Sequence, residues 1–119
     1  MSPSKKQLDE AGRLVRSGQA AVALPHLQSW ASGATSFGAA HALYLEALIA
    51  LGRRKDAIEV LEAAMASEPE AADAYDALAF FALQLDRHAL SNNLYRRATQ
   101  LQPDDPQFWY NYATSERSL

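Results

Sequence analysis

The 119-residue sequence predicts an all-α protein: a stack of helix–turn–helix units, about three and a half copies and seven helices. Three observations predict it. First, LQPDDPQFWYNYA at 101–113 is preceded by SEPEAADAYDALA at 67–79 and by GATSFGAAHALYL at 33–45, two equal steps back along the chain. A fixed period of this length is the signature of stacked repeats, each of which buries its apolar face only against its neighbours. Second, apolar residues inside each unit recur at three- and four-residue steps, as in Leu48, Leu51, Ala57, Leu61 and Ala64, or Leu78, Ala82 and Leu85, which is helical and not strand spacing. Third, glycines and prolines punctuate the chain where helices must end.

The elements follow in order. Helices are expected near 4–17, 20–32, 38–51, 54–67, 72–85, 88–101 and 106–118, in one domain over 1–119 with repeats at about 4–37, 38–71, 72–105 and a half repeat at 106–119. Gly18 and Gly52 stand where a helix ends in a left-handed residue, which glycine adopts at least cost. Pro69 and Pro103 close second helices, because proline has no amide donor and disfavours helix in the residue before it. Thr35 holds the equivalent place in the first unit. Asp104 and Asp105 are placed to cap the last helix, with Pro106 at its first position. Pro25 falls inside the second helix, where a buried mid-helix proline costs about 3 kcal/mol, so that helix is expected to start late or to bend. Tyr44, Leu48, Leu61, Leu78, Tyr95 and Leu101 are the expected core.

Composition removes several functional classes. With no cysteine there is no thiol catalysis, thiolate metal site or disulfide, which favours a reducing, cytoplasmic setting. Fourteen acidic against eleven basic side chains give a formal charge of -3, so no field gathers nucleic acid or anionic membrane. Residues 17–45 lack Asp, Glu, Lys and Arg but are interrupted by Pro25, Gln19, Gln28 and His41, too polar for a membrane span. The opening MSPSKKQLDEAGRLV has no apolar stretch of signal-peptide kind.

Chemistry-bearing motifs are missing as well. His26, His41 and His88 are too far apart in sequence to share one helix face, and His41 sits in an aromatic packing position. Arg53, Arg54, Lys55, Arg96 and Arg97 flank turns and helix ends as solvated cations. There is no phosphate loop, metal-binding helix motif or nucleophile elbow. No enzyme activity, cofactor or metal is expected.

The residues His41-x2-Tyr44-Leu45-x2-Leu48, Ala57-x3-Leu61 and Pro69, then Tyr75-x2-Leu78-Ala79-x2-Ala82, Ser91-x3-Tyr95 and Pro103, then Trp109-x2-Tyr112-Ala113, resemble the tetratricopeptide repeat pattern W-x2-L-G-x2-Y, A-x3-F, P. Ala11, Leu14, Gly18, Ala23 and Leu27 fit the same register, and Gln7, Glu10 and Thr35 depart from it. The resemblance implies a right-handed superhelical stack whose first helices line a concave groove that takes a peptide segment, with no chemistry of its own. It places Ala39, Ala42, Glu46 and Ile49, Asp73, Asp76, Phe80 and Leu83, and Gln107, Tyr110, Asn111 and Thr114 along that groove. The lysine–asparagine–arginine clamp that some members use on carboxylate tails is missing, since its places hold Ala42, Glu46, Asp73, Ala77 and Asn111. A protein or peptide partner with basic and apolar side chains suits such a groove; the same carboxylates also fit a merely solvated helix face.

The run from Ala74 to Leu119 further resembles repeat arms that precede sulfotransferase domains in large bacterial proteins. That resemblance implies an alternative role as a structural arm that orients or oligomerises a catalytic domain beyond Leu119. Trp109 and Tyr112, lacking a second helix in their own unit, are expected to be covered by self-association or by further chain.

Overall fold

The computed structural model describes residues 2–34 and 36–119; Thr35, in the proline place of the first unit, lies outside the described residues. Among the described residues seven helices follow one another: α1 Lys5–Arg16, α2 Ala20–Gly33, α3 Ala39–Ala50, α4 Arg54–Ala66, α5 Ala72–Gln84, α6 His88–Leu101 and α7 Pro106–Arg117. No strand occurs among the described residues. No helix among them is long and apolar enough to cross a membrane.

The repeat is written into the backbone bonds of the turns. Gln19 N–H donates to Leu14 O, Arg53 N–H to Leu48 O and Arg87 N–H to Ala82 O, each at 2.8 Å and each at the same place in its own repeat. The residue before each donor is left-handed: Gly18 at φ 84°, Gly52 at φ 72° and Asp86 at φ 61°. This is the closure expected of a helix that ends in a left-handed residue, with the amide just beyond reaching back to a carbonyl of the last turn.

Asp86 is not readable as a turn former from its own type, but its place one full repeat after Gly52 marks it. A side chain in this conformation costs about 1–2 kcal/mol, less for aspartate, which tolerates it. Asp86→Gly is therefore expected to stabilise the α5–α6 turn by a few tenths to about 1 kcal/mol. The 3.9 Å pair of Asp86 with His88 is itself worth little, because both side chains are largely exposed, and whatever else the carboxylate holds reduces the gain. Gly52→Asp should cost about 1 kcal/mol. Urea denaturation of both variants checks the opposite signs.

Helix starts also follow the sequence. Ser4 Oγ accepts from Gln7 N–H at 3.1 Å, and Gln7 Oε1 accepts from Ser4 N–H at 2.8 Å, so two donors of α1 are satisfied reciprocally. At α7 it is Asp105, not Asp104, that caps: its Oδ1 accepts from Gln107 N–H at 2.9 Å, with Pro106 in the first turn.

Packing divides the chain into two compact units, one through Ala64 and one from Met65. In the first, Ala11, Val15, Ala20, Ala23, Leu27 and Ala47 form a core from α1, α2 and α3, with Leu14, Leu24, Trp30, Leu43 and Tyr44 packed on it. On α4 the residues Ala57, Leu61 and Ala64 are buried at helical steps. In the second unit α5 packs on α6, and α6 on α7. There Leu78, Ala79 and Ala82 of α5 are wholly enclosed, as are Ala98 and nearly so Ser91 of α6. Ser91 Oγ donates to Ala79 O at 2.8 Å, a contact that needs small residues on both helices.

Three expectations are corrected. Leu101 is 39% exposed, not core; it is the last residue of α6, and its equivalents one and two repeats back are Ser67 and Gly33, which fill no core either. Tyr44 is only half-buried, packed on the edge of the first core. The helix holding Pro25 does not start late: it runs from Ala20, and the carbonyl that proline leaves without its usual donor belongs to Ala21, which is exposed to water.

Candidate functional site

On α5, Asp73, Asp76, Phe80 and Leu83 are separated by three- and four-residue steps and so lie along one stripe. Asp76 is half-buried, whereas Phe80 is 49% and Leu83 37% exposed. The neighbouring α7 supplies Gln107, Tyr110, Asn111 and Thr114. Its Asn111 Nδ2 donates to Asp76 Oδ1 at 2.9 Å, joining the two helices, and Gln107 Nε2 donates to Asn111 Oδ1 at 3.0 Å. The relay fixes which way the Asn111 amide points: oxygen toward Gln107, nitrogen toward Asp76. Tyr110 is 65% exposed. Thr114 is exposed as well, its hydroxyl donating to Tyr110 O at 2.9 Å one turn back.

The electrostatics of Asp76 come from three directions. Burial raises its pKa above the ordinary aspartate range, the Asn111 hydrogen bond opposes that, and repulsion from Asp73 and Asp105 adds to the rise. Tyr95 of α6 is likewise raised, first by burial and then by the Asp76 charge. Sequence assigns Asp105 only a capping role. Its second effect, as a third carboxylate acting on Asp76, has no signal there because it arises from packing between helices. A cation brought to this surface would meet a carboxylate with one oxygen engaged by Asn111, two further carboxylates acting on it, and exposed apolar side chains along α5.

The first unit carries the other expected groove residues on α3. Ala39 is exposed; Ala42, Glu46 and Ile49 are half-buried. Glu46 is paired with Arg16 of α1 at 3.4 Å, without hydrogen-bond geometry to its buried Oε2. The Arg16 side chain reaches Glu46 by crossing Gly12, where an added Cβ would stand 3.1 Å from its guanidinium. Glu46 is thus already neutralised within its own unit, in contrast to Asp76. Lys5 pairs with Asp9 at 3.6 Å on the exposed side of α1.

Several of the remaining sequence candidates have structural partners. His41 stacks on Phe37 with centroids 5.5 Å apart, accepts a long bond from Gly38 N–H at 3.4 Å, and is held below the usual histidine pKa by burial. Arg53 pairs with Asp56 at 2.7 Å. Arg97 lies over the Tyr75 ring, 5.8 Å from its centroid. Asn92, which sequence does not single out, is buried on α6 and donates to Ser115 Oγ at 3.1 Å and Glu116 Oε1 at 2.9 Å on α7.

A family model described as Tetratricopeptide repeat matches residues 14–79, more than half of the chain. No curated protein matches the sequence.

Proposed function

Because the chain belongs to the tetratricopeptide repeat family, whose repeats are generally protein–protein interaction modules, we propose that it is a non-catalytic scaffold gripping a peptide segment with basic and apolar side chains. The observation that carries this reading is Asp76: a half-buried carboxylate with one oxygen held by Asn111, pressed by Asp73 and Asp105, beside exposed Phe80 and Leu83. A lysine or arginine side chain relieves that repulsion, while an apolar neighbour in the peptide covers Phe80 and Leu83. Tyr110 and Thr114 extend the surface on α7.

The test is one substitution read in two ways. Titrating short Lys/Leu peptides into the protein, followed by NMR, should shift amides of α5 and α7 and weaken with added salt, because the ionic contacts are partly solvated. Asp76→Asn should lower affinity about 2- to 5-fold, the worth of one exposed ion pair.

Stability should respond the other way. The folded pKa of Asp76 is raised, so its ionisation works against folding, and that cost sets in as pH rises from the ordinary value of 3.8 through the folded value. Asp76→Asn removes this loss and should leave stability at pH 7 equal or slightly higher. Undiminished affinity in Asp76→Asn, or shifts confined to the second helices, would sink the proposal.

A further inference from the structure

We propose that Glu46 is a receptor for an arginine side chain of a partner peptide, and that Arg16 of the chain itself fills that place as a displaceable stand-in. The internal pair is poorly made. Elsewhere in the same unit, Arg13 Nε donates to Glu10 at 2.9 Å and Arg53 Nε to Asp56 at 2.8 Å, so those ion pairs are hydrogen-bonded. Arg16 stops 3.4 Å from Glu46 Oε2, an oxygen that is enclosed and accepts no hydrogen bond from any described residue. An enclosed carboxylate oxygen without a donor is costly, and a better-placed donor removes that cost.

The place is shaped for a flat cation. Its floor is Gly12, bare where the later repeats carry Glu46, Phe80 and Thr114. Glycine inside a helix is unfavourable, yet a Cβ there would stand 3.1 Å from the Arg16 guanidinium and 3.5 Å from Leu43 of α3. The guanidinium therefore lies on the bare α1 backbone, with Leu43 beside it.

Leaving costs Arg16 little. Its side chain is 67% exposed, and an ion pair so solvated contributes little. As the last residue of α1 it also complements the negative end of that helix whether or not it meets Glu46. A peptide arginine is not tied to the end of α1, so it can turn its planar fork to both carboxylate oxygens; the point-like ammonium of lysine has no such fork. Glu46 as a receptor rests on the chain being a scaffold for basic peptides, though not on Asp76.

The test carries Asp76→Asn throughout, and reads α1 and α3 apart from α5 and α7, so the two sites fail separately. A short Arg/Leu peptide and its Lys/Leu counterpart are titrated into the full chain and followed by NMR at the amides of Gly12, Leu43 and Glu46. Arg16→Ala should tighten binding of the Arg/Leu peptide at these amides about 2- to 5-fold, the worth of the exposed pair that no longer competes. Glu46→Gln added to Arg16→Ala should abolish that gain. Unchanged circular dichroism verifies that both variants are folded. No gain in Arg16→Ala makes the pair merely structural and overturns the proposal. A loss assigns the peptide contact to Arg16 itself and overturns it too. So does a gain that survives Glu46→Gln, which reflects only the removed charge, or an equal gain with the Lys/Leu peptide, which removes the preference for a guanidinium.

Discussion

Leu78→Ala is expected to lower the stability of the α5–α7 unit by about 2–5 kcal/mol, the range for truncating a fully buried leucine and leaving a cavity behind. Leu78 is wholly enclosed, and Ala79 and Ala82, next along α5, are equally enclosed but small. Alanines have no rotamers with which to fill a hole, and the Ser91–Ala79 contact already holds the helices at close approach. The site therefore collapses poorly, which places the cost in the upper half of the range. A helical unit of this size has about 5–15 kcal/mol in total at most, so the loss is a large share of what it has. Trp109 lies in this unit and Trp30 in the other. In a Trp30→Phe background, thermal unfolding followed by Trp109 emission should move down by about 4–8 °C for each kcal/mol lost. Leu83→Ala on the same helix, at a 37% exposed position, should move it little. Equal shifts for the two would mean that the α5–α6 core is not packed as described.

The helices and their ends were legible because each depends on local chemistry: glycine in a left-handed turn, aspartate before a proline, and apolar steps of three and four. No helix boundary departs by more than one residue from expectation. What was not legible needed a neighbour. Phe80 and Phe81 are adjacent and chemically identical, yet one is 49% exposed and the other buried, and only the direction of the helix face decides between them. Glu46 and Asp76 read alike as groove acids, but Arg16 neutralises the first while Asn111 and two carboxylates surround the second. Asn92 is a polar residue on a helix that otherwise reads as amphipathic; its burial becomes intelligible only once Ser115 and Glu116 face it across α7. Period supplied part of the missing signal. Asp86 was marked by Gly52 and Leu101 by Ser67 and Gly33, so comparison between repeats carries more than the residue type alone.

Pro25→Ala is expected to act in the opposite direction to Leu78→Ala, and in the other unit. Pro25 is the sixth residue of α2, where it donates nothing to the Ala21 carbonyl and its ring crowds that same carbonyl. A proline inside a helix is about 3 kcal/mol less favourable than alanine. Two effects reduce what alanine can recover. Ala21 and Pro25 are not enclosed, so water partly satisfies the carbonyl, and the unfolded chain gains about 0.4–1 kcal/mol of freedom once the ring is removed. The net expectation is a gain of about 1–2.5 kcal/mol in the unit that contains α2. No side chain of the first core is disturbed, because Ala23 and Leu27 lie on the opposite side of the helix from Pro25 and keep their burial. In a Trp109→Phe background the half-buried Trp30, further along the same helix, reports the transition directly. Its midpoint should rise. Pro25→Gly separates the two contributions: it restores the donor but brings glycine's helix cost of about 1 kcal/mol, so it should recover less than alanine. A Pro25→Ala midpoint at or below that of the parent would show that α2 holds its proline without strain, and that the missing bond costs nothing where water can reach it.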